Sequence, residues 1–133
     1  MTANDEHDVE RATSDEDLVQ AWLRHAQDRK REDFWAWDRM NAIVLSDAKH
    51  GWRLICDLIQ RANDDILGDI GVGPIEDLVH EHHTAVIDEI VKEARNNPRF
   101  RAALTWMWFT RGSMPSHVER QLLEATNNEM RVL

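Results

Sequence analysis

Apolar residues recur along this chain at steps of three and four, the spacing that gathers side chains on one face of an α-helix. Leu18, Val19, Trp22, Leu23 and Ala26 form the first such stripe, and Ser14, three residues before Asp17, predicts the cap at its start. A second helix is expected over about 33–45, with Phe34, Trp37, Asn41 and Val44 on one face. Ser46 is expected to cap a third helix, in which Ala48, Trp52, Ile55, Ile59 and Ala62 recur at helical spacing.

The pattern then meets its one long break, ANDDILGDIGVGP. Asp64 or Asp65 can begin a single turn through Leu67, and Gly68, Gly71 and Gly73 are expected to adopt backbone angles barred to other residues. Pro74 is expected at the first position of a fourth helix, where its missing N–H costs nothing. That helix runs toward Asn96 with Ile75, Leu78, Val79, His82, Val86, Ile90 and Ala94 inward. Asn97-Pro98 repeats the capping logic and starts a helix carrying Phe100, Leu104 and Met107, ended by Arg111-Gly112. Ser116-His117-Val118-Glu119 reads as a capping box for a last helix that presents Val118, Leu122 and Ala125. No segment alternates long enough to predict a sheet. The expected fold is a single all-α domain over residues 13–133, about six helices arranged as antiparallel hairpins in a bundle or short solenoid. Residues 1–12 are polar and acidic without periodicity, and are expected to form a disordered lead-in.

Composition narrows the setting. A chain of 133 residues can bury a core without staples. Cys56 is the only cysteine, so no intramolecular disulfide forms and a reducing compartment is expected. The N-terminal stretch lacks the apolar run of a leader, and no stretch is apolar enough to span a bilayer; both point to a cytoplasmic protein. The net charge of −9 is spread along the chain, and the basic run Arg29-Lys30-Arg31 is followed at once by Glu32 and Asp33. Nucleic acid is therefore disfavoured as a partner, and a basic protein or self-association remains.

The stretch IGVGPIEDLVHEHH, residues 70–83, combines glycines with histidines and invites two chemical readings. A dinucleotide loop needs a third glycine and a preceding strand, and a phosphate loop needs Gly-Lys-Ser or Gly-Lys-Thr; neither is here. Glu76 and Asp77 would also put two carboxylates in the first turn of the expected helix, where an incoming phosphate meets repulsion. The histidines do not follow the zinc-protease spacing, since Thr84 stands where the second histidine belongs. Glu76, His80 and His83 nevertheless share a helical face at steps of four and three, and they are the candidate metal ligands. No catalytic constellation is evident and no cofactor is implied: Cys56 has no neighbouring base in sequence, and neither Ser113 nor Ser116 lies in a nucleophile motif.

Six tryptophans and no tyrosine are unusual. Trp22 and Trp52 are in phase with core stripes. Trp35/Trp37 and Trp106/Trp108 are each two residues apart, so on a helix both members cannot face one core. Trp35 and Trp106 are the candidates for an exposed interaction face, with Trp37 and Trp108 turned inward.

The run DFWAWDRM, then GWRLICDLI, IGVGPIEDLV with EHH, and EARNNPRFRAAL before a tryptophan resembles a family of small bacterial proteins classed as a domain of unknown function. The family pattern has a W-x-L-I helix, a G-x-G-P-L-E-D-L-L motif and an A-x-x-x-P-x-F-x-x-A-L ending. Trp52, Leu54, Ile55, Gly71, Gly73, Pro74, Glu76, Asp77, Leu78, Ala94, Pro98, Phe100, Ala103, Leu104 and Trp108 match it, while Ile75 and Val79 replace leucines and His83 stands where glycine is common. The resemblance spans about residues 33–108, implies an all-helical bacterial protein and assigns no activity. Two functional readings follow. One is a non-enzymatic helical module that binds another protein, such as an immunity or antagonist protein for a basic partner. The other is a metal-binding protein or metal-dependent enzyme built on Glu76, His80 and His83.

Overall fold

The computed structural model describes residues 14–133, so the lead-in expected over residues 1–12 lies outside them. Ser14 opens the first helix, α1 (Asp15–Asp28), its hydroxyl accepting the Asp17 N–H at 3.1 Å. Leu18, Val19, Ala21, Trp22 and Ala26 are buried along one side, and Arg29 in the left-handed region (φ 58°) ends the helix. A short 3-10 turn, Arg31–Asp33, leads into α2 (Phe34–Ser46). Buried Asp33 is held there by the Arg24 guanidinium at 3.1 Å.

Two expectations for this region need correction. The buried face of α2 is Ala36, Met40, Ile43 and Val44, while Phe34 is 48% exposed. The stripe is rotated because α2 packs against α1 and against the later helices over Ala48–Arg61 and Glu76–Asn96 together, which centres its buried arc on the small Ala36 and on Met40. The cap of α3 (Ala48–Arg61) is Asp47, which accepts the His50 N–H at 3.1 Å. Ser46 is still helical, and its hydroxyl donates back to the Ala42 carbonyl at 2.8 Å. Only Asp47 has the extended backbone (φ −143°, ψ 99°) that a cap requires.

The largest correction lies in residues 64–76. No loop is present. A 3-10 turn (Asp64–Ile66) runs into a short helix α4 (Leu67–Ile70), then a π-helical turn (Gly71–Ile75), and directly into α5 (Glu76–Asn96). Pro74 sits inside this helical path, and among the described residues only Gly112 is a glycine with positive φ (88°). Proline lacks the N–H that would bond four residues back, and its ring crowds that carbonyl. The wider π turn accommodates both effects, with the Glu76 N–H reaching back to the Gly71 carbonyl. Ile66, Leu67, Ile70, Ile75 and Leu78 are buried along this path at helical spacing.

α5 bends at His82 (φ −126°, ψ 21°), where the ring Nε2–H donates to the Val44 carbonyl at 2.9 Å. Asn97 caps α6 (Pro98–Thr105) as expected, its Oδ1 accepting the Arg99 and Phe100 N–H groups at 3.1 and 3.3 Å. The Arg99 guanidinium donates to the Ile59 and Ala62 carbonyls and so satisfies the end of α3. α6 stops at Thr105 rather than continuing to Arg111-Gly112, and the chain becomes extended. β1 (Trp108–Phe109) then pairs in parallel with β2 (Arg131–Val132), which corrects the expectation of no sheet. The last helix, α7 (Ser116–Ala125), starts after Pro115 without a side-chain cap. Glu119 turns instead to the preceding loop, accepting N–H bonds from Gly112 (2.9 Å) and Met114 (3.1 Å).

The result is an all-α bundle. Among the described residues, six helices have eight residues or more, and no helix is long and apolar enough to cross a membrane. α1, α2 and α3 pack in succession, and α5 joins them to α6 and α7. Trp22, Phe100 and Phe109 are among the largest fully buried side chains. Trp37 stacks on Trp22 (centroids 5.9 Å apart), and Trp52 meets Phe100 edge to face at 5.4 Å.

Candidate interaction surface

The π turn brings α4 and α5 against the end of α6, and a cluster of aromatic and polar groups forms at that crossing. Gly71 permits the contact. A Cβ at this position would lie 2.0 Å from the Ala103 carbonyl oxygen and 3.0 Å from the Trp106 Cβ. Gly68, one turn earlier, lies beneath the Trp106 ring, with an added Cβ only 3.1 Å from Cδ2. These glycines therefore serve close approach of backbone and indole rather than unusual backbone angles.

Trp106 closes α6 in helical backbone (φ −79°, ψ −17°), and only Trp108–Phe109 are extended; Trp106 and Trp108 are exposed, Met107 and Phe109 buried. Trp106 is 45% exposed, as its position suggested. Trp108 is 39% exposed, against the expectation that it faces the core, because the residues are no longer helical at that point. Trp35 and Trp37 are both half-buried against the core.

Three residues hold this aromatic edge. Glu76 accepts the Trp108 N–H at 2.7 Å, and His80, one turn further along α5, donates Nε2–H to the Trp108 carbonyl at 2.9 Å. Together these side chains bond the edge of β1 that faces away from β2. From β2, the Arg131 guanidinium stacks over the Trp106 ring at 4.1 Å and lies 5.2 Å from the Trp108 ring. Among the described residues no carboxylate lies in ion-pairing reach of Arg131.

The proposed metal ligands thus part company. Glu76 and His80 meet at the Trp108 backbone, while His83 follows the bend at His82, with its Nδ1 buried and unpartnered. Among the described residues no group of three or more His, Cys, Asp or Glu side chains is arranged to hold a metal ion. On the inner side of the same turn, Asp77 borders a pit of about 10 Å³, also lined by Trp22, Trp37, Asn41 and Pro74. That volume is about one water. Burial, reinforced by the neighbouring Glu76 charge, raises the Asp77 pKa. Cys56 is half-buried, and desolvation with Glu93, Glu89 and Asp57 nearby pushes its thiol up to about 12, so the thiol stays protonated at neutral pH.

Arg131, the exposure of Trp108 and the π turn carry no signal in the sequence pattern. The alternation that exposes Trp108 leaves no trace in the sequence, since Trp106, Met107, Trp108 and Phe109 are all apolar.

These features define a small all-α protein with an internal Gly-Pro π turn that buttresses an exposed pair of indoles. The chain belongs to the family of unknown function DUF6869, whose pattern matches residues 23–130. No curated protein and no solved structure matches the chain.

Proposed function

We propose that this protein is a non-enzymatic helical module that binds another protein through the face around Trp106 and Trp108. The observation that carries this reading is the exposure of two large indoles that share the Arg131 guanidinium, with Gly68 and Gly71 under Trp106 and with Glu76 and His80 holding the Trp108 backbone. Tryptophan is strongly enriched among the residues that dominate protein–protein contacts, and a ring already immobilised loses little entropy on binding.

Capture from extracts of the native host tests the reading with the wild-type chain and a Trp106→Ala/Trp108→Ala double variant of matched helical content. The expected result is a partner retained by the first and lost by the second. Recovery of the same proteins by both would contradict the reading. The competing metal-binding reading, on Glu76, His80 and His83, predicts stoichiometric metal in untagged purified protein, which elemental analysis detects.

A further inference from the structure

The centre of the indole face is a cation, not an apolar side chain. Arg131 lies over the Trp106 ring, 4.1 Å from its centroid, and 5.2 Å from that of Trp108, and among the described residues no carboxylate pairs with it. A guanidinium stacked on a ring keeps its in-plane N–H groups free, and these fit the two oxygens of a carboxylate in a bidentate pair. Apolar surface lies alongside. Val72, on the same π turn as Gly71, is 40% exposed.

We infer that Arg131 is the specificity residue of this face and that its ligand is a protein segment presenting an aspartate or glutamate next to aromatic or branched aliphatic side chains. The inference rests on the interaction reading above and names the chemistry of its partner. The carboxylate completes the guanidinium fork while the flanking apolar groups cover Val72 and the outer ring faces.

Selection of short random peptides displayed on phage, with the full chain as bait, tests this. The expected outcome is enrichment of sequences with an acid beside apolar residues. A synthetic peptide from that set should lose about tenfold or more in affinity when its acid is replaced by the amide, and equally with Arg131→Gln. Arg131→Lys, which keeps charge but not the fork, should weaken binding by a smaller factor, and Lys92→Gln should leave it unchanged. Matched melting curves show that the variants are folded. Four outcomes overturn the inference: selected peptides that are basic or show no charge preference, binding indifferent to Arg131→Gln, tight binding of a single-stranded DNA homopolymer abolished by the same change, or a dimer in sedimentation abolished by it. If acidic peptides bind elsewhere on the chain, the site falls and the interaction reading stands. If nothing is enriched above bare support, both fall.

Discussion

Pro98 is the first residue of α6 and Pro74 lies two residues before α5, yet the chain passes them in different ways. At Pro98 it arrives extended, through Asn97 (φ −132°, ψ 100°), whose side chain closes the new amide end. At Pro74 it never leaves the helix, and the π turn absorbs the missing N–H. The two regions also touch, because Gly71 of the first packs on the Ala103 carbonyl of the second. A proline starts a helix when the residue before it can serve as a cap. When tertiary packing holds the backbone helical on both sides, the same residue only widens a turn.

This contrast can be broken most severely at Gly71. Gly71→Ala puts a methyl into a backbone carbonyl that cannot rotate away, and should cost about 3 kcal/mol or more in urea unfolding. Asn97→Ala removes a cap and should cost about 1 kcal/mol by the same measurement. Gly73→Ala should stay within about 1 kcal/mol of wild type, since the new methyl meets only the Trp37 ring edge at 3.3 Å and the helix gains propensity. If Gly73→Ala proves as damaging as Gly71→Ala, backbone angle rather than close approach governs the segment.

Asp77, just beyond the π turn, gives a smaller effect with a defined sign. Its raised pKa means that the folded state holds the proton more tightly than the unfolded one. That contribution is present below the ordinary aspartate range and is lost as pH rises through the folded value. Asp77→Asn should therefore raise the melting temperature at neutral pH and lose the advantage in acid. Glu16 has the opposite sign: hydrogen bonding to Arg61 lowers its pKa from 4.5 to about 2, so its contribution is present above 4.5 and fades as pH falls toward 2. Glu16→Gln should narrow its deficit in stability over that acid window, as followed by thermal melts.

What could be read from the sequence follows the range of the forces involved. Ser14 and Asn97 bond their own neighbours, so their caps are legible in a few consecutive residues. The buried stripes of α1 and α3 are legible because periodicity is local. Residues 68–74 mislead, because three glycines and a proline imitate a loop while the reason for Gly71 lies in Ala103, far along the chain. Glu119 misleads in the same way, since its capping-box spacing is real but its carboxylate serves Gly112 and Met114. Of the interaction face, Trp106 was legible as a surplus indole. Arg131 was not, because only the parallel pairing of β1 with β2 brings it over the rings.

The helix is continuous through Gly71–Ile75, and that path sets Gly68 and Gly71 beneath Trp106 and aims Glu76 and His80 at Trp108. Backbone NMR chemical shifts over residues 70–76 test it directly. Helical carbon shifts are expected at every residue of the segment. Extended shifts at Val72 and Gly73, with a fresh helix starting at Pro74, would contradict it.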